Sequence, residues 1–223
     1  MKYFLDSAKL DEIKKAYELY GFDGVTTNPK HIKNSGKTFE SCIEGIADYV
    51  KDKPNFPVSV EINPHLADVQ SMVEMARRIS SLSANFVIKI PTNTVGIVAG
   101  RQLEKEGIQT NMTLVFSAAQ AIMAGKLGAK YVSPFIGWKE DHGDDGVKYI
   151  KDIVDIYRKY DFKTEIIVAA VRNSQQIEKA ALFGADIVTC GLAVYENSFN
   201  NPYTDLGLKI FKSAWDNTKK EGE

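Results

Sequence analysis

Short β-branched or aromatic runs alternate with longer segments of helical period along the whole chain, and that alternation restricts the fold more than any other feature. The strand-like runs are Lys2 to Asp6, Gly24-Val-Thr-Thr27, Pro57-Val-Ser-Val-Glu61, Asn85 to Pro91, Ile108-Gln-Thr-Asn111, Lys130-Tyr-Val-Ser133, Glu165-Ile-Ile-Val-Ala169 and Ala185-Asp-Ile-Val-Thr189. Between them, apolar residues recur three or four apart. Leu10, Ile13, Tyr17 and Tyr20 follow Ser7, a residue able to cap a helix, and Cys42, Ile43, Ile46 and Val50 mark the next stretch. Val69, Met72, Val73 and Ile79 mark a third, followed by helices over about 95–106, 118–127, 147–160, 175–183 and 204–218. Gly107, Gly128 and Gly184 each stand where a helix must turn into the next strand. Eight strand-helix units in this length fit a closed parallel (β/α)8 TIM barrel with an extra C-terminal helix, as a single domain over residues 1–223. An open doubly wound sheet, which usually needs fewer strands, is the alternative.

Composition removes several function classes. The net charge of -1 carries no basic or acidic block, so no nucleic-acid partner and no membrane surface is expected. The N-terminus runs straight into folded-looking sequence without an apolar leader, and the expected location is the cytoplasm. Cys42 and Cys190 have neither metal-ligand nor disulfide-framework spacing, and His31, His65 and His142 share no ligand pattern, so no metal is expected. No glycine-rich dinucleotide fingerprint follows a strand. The acidic run Glu140 to Asp145 lacks the alternating carboxylates of a calcium loop and reads as a solvated loop after the sixth strand, placed to lie over a site.

The fourth strand contains the anomaly. In Phe86-Val-Ile-Lys-Ile-Pro91 a lysine interrupts a buried-looking run, and alternation puts Lys89 on one face with Val87, opposite Phe86, Ile88 and Ile90. Desolvation disfavours an ammonium, and a neutral amine is the nucleophile that condenses with a ketone. A strand-end lysine that snorkels to water is the plainer reading. The remaining strand ends, where a barrel carries its reactive groups, are Asp6, Thr26 with Asn28, Glu61, Asn111 with Thr113, Ser133, and Arg172 just past the seventh. Each has a structural alternative: Asn28, Thr113 and Asp6 can cap helices, Glu61 can be a solvated turn residue, and Arg172 can be a surface arginine.

The runs Gly24-Val-Thr-Thr-Asn-Pro29, Val58-Ser-Val-Glu61, Phe86 to Pro91, Thr110-Asn-Met-Thr-Leu-Val-Phe-Ser117 and Val132-Ser-Pro-Phe-Ile-Gly137 resemble, in order and over nearly the whole chain, the transaldolase family and its small members grouped with the fructose-6-phosphate aldolases. The resemblance implies small-molecule sugar substrates, no cofactor, and a class I mechanism that transfers a dihydroxyacetone unit. By that likeness Lys89 forms the Schiff base, Asp6 is the acid-base group at the cleaved bond, and Glu61 with Thr113 holds a proton-relaying water. Asn28, Asn111 and Ser133 bind the dihydroxyacetone hydroxyls. The family's aldolases, which release free dihydroxyacetone, carry a tyrosine and a glutamine where this chain has Phe135 and Glu61, and both choices look like transaldolase. In relatives a closing helix such as this one, with Leu206, Ile210, Phe211 and Trp215, packs on a neighbouring subunit, so a homo-oligomer is expected.

The resemblance breaks at the end of the substrate that carries an anion. Small transaldolases follow Ser-Pro-Phe-Val-Gly with an arginine, whereas this chain has Trp138; where they read Ala-Ser-Val-Arg, it has Ala169-Ala-Val-Arg172. One reading lets Lys139 restore the lost charge for a 6-phosphate. The other fits a 6-sulfonate, with a single negative charge, and the chain resembles the sulfofructose branch of the family in carrying this tryptophan. Outside the family, a lyase such as a decarboxylase with a Lys/Asp array, and a sugar-phosphate-binding barrel without catalysis, are the competing classes.

Overall fold

The computed structural model describes residues 1–219, so the last four positions of the domain expected over 1–223 lie outside the described residues. Eight parallel strands close into a barrel in chain order: β1 (Lys2–Asp6), β2 (Gly24–Thr26), β3 (Val58–Glu61), β4 (Phe86–Pro91), β5 (Thr110–Val115), β6 (Tyr131–Pro134), β7 (Glu165–Val168) and β8 (Ile187–Cys190). The helices around it are α1 (Leu10–Tyr20), α2 (Pro29–Asn34), α3 (Phe39–Val50), α4 (Val69–Ser80), α5 (Thr94–Lys105), α6 (Ala118–Leu127), α7 (Ile136–Asp141), α8 (Gly146–Lys159), α9 (Ser174–Phe183), α10 (Leu192–Phe199) and α11 (Pro202–Asp216). The open-sheet alternative is excluded by the pairing of β1 with β8, in which Phe4 lies opposite Thr189 and Leu5 opposite Cys190. Tyr195 of α10 reinforces that closure, its hydroxyl lying 2.8 Å from the Phe4 carbonyl and 3.0 Å from that of Val188.

Strand alternation divides the core in two. Phe4, Val87, Tyr131, Ile167 and Ile187 form a separate apolar cluster inside the barrel, while Phe86, Ile88, Ile90 and their counterparts on the other strands pack outward against the helices. The interior is filled, so the barrel is a platform rather than a channel. Gly24 makes room for one of those side chains, because a Cβ there would stand 2.7 Å from the Phe4 ring. Gly107, Gly128 and Gly184 adopt the positive φ expected of helix-terminating glycines.

Four local expectations change. Ser7 does not cap α1: the chain stays extended through Lys9, and the Ser7 hydroxyl instead donates to Glu12 at 2.6 Å and accepts from the Lys9 N–H. The stretch between Asn28 and Val50 is two helices, because Gly36 turns with positive φ and Thr38 caps a fresh start. The first residues of the Glu140–Asp145 run belong to α7, and Asp145 caps α8. The closing helix expected over about 204–218 is α11, and a further short helix, α10, precedes it; its single buried residue, Tyr195, gives too little apolar periodicity to read from sequence. No helix among the described residues is long and apolar enough to cross a membrane.

Candidate active site

The C-terminal strand ends gather the polar residues around a cavity of about 430 Å³. Register sets the neighbours: Glu61 pairs with Lys89, Lys89 with Asn111, and Asp6 with Thr26. Lys89 is only 3% exposed. Its Nζ donates to the Thr27 carbonyl at 3.1 Å and lies 3.1 Å from Glu61 Oε2. The buried amine thus has one hydrogen bond and one carboxylate neighbour, and the side chain opens on the cavity, so the snorkelling alternative does not describe it.

Asp6 stands across from this pair with both carboxylate oxygens engaged. The Thr26 hydroxyl donates to Oδ1 at 2.8 Å, and His31 Nε2 lies 3.1 Å from Oδ2. Since Thr26 gives its proton to Asp6, the Thr189 hydroxyl, 2.7 Å from Thr26 Oγ1, must be the donor in that second contact. Burial pushes the Asp6 carboxyl up, but the hydrogen bond and charge of His31, the charge of Lys89 and the Thr26 hydroxyl together outweigh it and hold the group below its ordinary range. Asp6 is therefore a carboxylate at neutral pH, ready to accept a proton.

Asn28 caps α2, accepting from the His31 N–H at 3.0 Å, and also lines the cavity, so capping does not withdraw it from the site. Ser133 lines it too and donates to Asn111 Oδ1 at 2.7 Å, while Asn111 Nδ2 donates to Ser59 at 3.0 Å. Asn111 is fully buried and has both ends of its amide committed. Thr113 is also fully buried, and among the described residues its hydroxyl has no partner. A buried hydroxyl without a protein partner is the kind of group an internal water satisfies.

The cavity's far wall is aromatic and cationic. Trp138 stacks on Phe116 with ring centroids 5.8 Å apart and meets Phe135 edge-on at 5.5 Å. Arg172 lines the same wall and pairs with Asp141 of α7 at 2.9 Å. Lys139 is not among the lining residues; its Nζ pairs with Asp144 at 2.7 Å and sits over the Tyr149 ring. Two non-glycine residues bordering the cavity, Leu114 and Ala170, have positive φ, a strained backbone of the kind that collects at functional sites. Gly137 permits the turn at Ala170, because a Cβ there would stand 2.1 Å from the Ala170 carbonyl oxygen.

Three residues that border the cavity, Lys30, His31 and Thr189, are not marked as site residues by the sequence, and Cys190, which reads as a space-filling residue at a strand end, borders it too. His31 was weighed only as a metal ligand; its position on the first turn after Asn28-Pro29, facing the end of the first strand, was the available signal. Burial pushes the Cys190 thiol up to about 12, so it enters as a space-filling group and not as a nucleophile.

Fold and site define a TIM barrel whose strand ends bring a buried lysine beside the Glu61 carboxylate at a cavity that Asp6 also borders. The family model described as Transaldolase/Fructose-6-phosphate aldolase matches residues 3–222, and the chain belongs to that family. Proteins of Priestia aryabhattai and Priestia megaterium named 6-deoxy-6-sulfo-D-fructose transaldolase are each 57% identical to it over 221 residues, 99% of this chain and 98% of theirs. A Dictyoglomus turgidum protein named "Probable transaldolase" is 46% identical over 99% of this chain and 100% of its own.

Proposed function

We propose that this transaldolase moves a dihydroxyacetone unit from 6-deoxy-6-sulfofructose to an aldehyde acceptor through a Schiff base on Lys89. The observation that carries the chemistry is the buried Lys89 amine, 3.1 Å from Glu61 and facing the cavity that Asp6 borders. Glu61 takes the proton that Lys89 must lose before it attacks the ketose carbonyl, and a water shared by Glu61 and the Thr113 hydroxyl relays protons as the carbinolamine dehydrates. Asp6 then accepts the proton of the C4 hydroxyl while the C3–C4 bond breaks and its electron pair flows into the iminium, leaving an enamine. Attack of that enamine on the acceptor returns the proton from Asp6, and hydrolysis frees Lys89. Asn28 and Ser133, with Asn111 behind Ser133, hold the dihydroxyacetone hydroxyls.

The donor assignment rests on the Priestia relatives' names and on the wall chemistry. Arg172 is partly neutralised by Asp141, and Trp138 offers one N–H where a second cation would otherwise stand, an arrangement suited to a single negative charge. Release of free dihydroxyacetone is disfavoured because Phe135 has no proton to give. The reaction is assigned to the cytoplasm, supported by two cysteines that are both free. Measuring kcat/KM for 6-deoxy-6-sulfofructose against fructose 6-phosphate, with glyceraldehyde as acceptor, tests the donor. A preference for the sulfonate is expected; a preference for the phosphate overturns that assignment.

A further inference from the structure

We propose that His31 is a positioning residue for carbon–carbon bond cleavage, clamping Oδ2 of Asp6 and supplying the counter-charge a buried carboxylate requires. The inference rests on the Schiff-base reading above. The segment that carries it is built in two steps. Asn28 fixes the backbone N–H of His31 at 3.0 Å, and Pro29 presets the first turn of α2, so the imidazole leaves the helix in one direction, back toward the barrel. There its Nε2 meets Asp6 Oδ2 at 3.1 Å, while Thr26 holds Oδ1 from the other side.

With both oxygens pinned, the carboxylate has one orientation, and one lone pair of each oxygen stays free for the sugar hydroxyl. The groups that act on Asp6 from other elements are Lys89 on β4, Cys190 on β8 and Tyr195 on α10, with Glu61 on β3 already paired to Lys89. Cys190 and Tyr195 are neutral near pH 7, and the positive charge at Lys89, kept in the iminium, is discharged as the C3–C4 bond breaks to leave the neutral enamine. Lys30 and Arg172 border the same cavity, but neither makes an ion pair with Asp6. As the Lys89 charge disappears, His31 and the Thr26 hydroxyl are the groups left to oppose the desolvation of Asp6. Without His31, burial raises the carboxyl, and the pH at which Asp6 loses its proton moves up.

The test separates cleavage from imine formation. Single-turnover release of the aldehyde fragment from 6-deoxy-6-sulfofructose is followed against pH for the wild type, His31→Leu and His31→Gln. Borohydride trapping of the same donor on Lys89 is measured alongside. Loss of an opposite charge at this range moves a carboxyl by about 1–3 pH units, so the acidic limb of cleavage in His31→Leu is expected to rise by about one unit or more. That is roughly a tenfold loss at a pH below the shifted limb. His31→Gln, which keeps a donor without the charge, is expected to fall between the two, and trapping near pH 8 is expected to stay within about twofold of wild type in both variants. Superimposable cleavage profiles overturn the inference, as does an equal loss of trapping and cleavage at every pH, which marks a merely structural histidine. Absence of a trapped adduct in the wild type overturns the Schiff-base reading itself, and the role of His31 falls with it.

Discussion

Lys89 and Glu61 act as a unit because neither tolerates burial alone: an isolated ion in a low-dielectric site costs several kcal/mol, and each meets the other at 3.1 Å. Replacing Glu61 with Gln removes the proton acceptor while keeping the shape. We expect about a hundredfold slower imine formation and hydrolysis with donor affinity nearly unchanged, read by pre-steady-state trapping of the adduct. An unchanged rate would remove Glu61 from the relay. Asp6 carries a stability consequence as well. Its folded carboxyl lies below the unfolded value, so its ionised form stabilises the protein above the unfolded pKa, and that contribution is lost as pH falls through the lower, folded value. Asp6→Asn should therefore flatten the acid side of the stability curve, measured by denaturant midpoints from about pH 5 downward past the unfolded carboxyl value; an unaltered curve contradicts the assignment. Lys89, Glu61, Asp6 and Thr113 were legible as residue types at strand ends. His31 was not, because a histidine's role depends on what it faces across a gap of 25 positions of sequence, and a single chain gives no sign of that.

At the level of elements, the cavity depends on turns as much as on strands. The β7 turn reaches its place only because Gly137 on α7 lets the Ala170 carbonyl approach to where a Cβ would be. Gly137→Ala would also put that Cβ 2.8 Å from Arg172 Nε. The variant should lose about 1–3 kcal/mol of stability and at least tenfold in kcat/KM for the anionic donor, mainly through KM, as thermal melts and initial rates will read. Full activity would mean that Arg172 does not hold the anion. Strands and long helices could be read from sequence because their apolar periods are strong. The short helices α2, α7 and α10 could not, since six to eight residues contain too few turns for a period to stand out and tertiary contacts, such as those of Tyr195, decide them. The Lys139 alternative shows the same limit, for its direction is set by Asp144 five residues on.

For the whole molecule, the barrel accounts for the site but leaves α11 unexplained, because none of its residues is buried while Leu206, Ile210, Phe211 and Trp215 are all exposed. An apolar helix face of that kind needs a cover, and we propose a second copy of this chain. Light scattering should give a mass of at least two protomers, falling to one in the double variant Phe211→Asp, Trp215→Asp; a monomeric wild type refutes it. The central claim is that one lysine, held inside a filled barrel beside a carboxylate, carries the sugar fragment between donor and acceptor. The most direct test is peptide mass spectrometry of protein treated with 6-deoxy-6-sulfofructose and borohydride. The account predicts a reduced adduct on the peptide containing Lys89, absent from Lys89→Met, which is also inactive. Turnover without an adduct, or an adduct on another lysine, would contradict it.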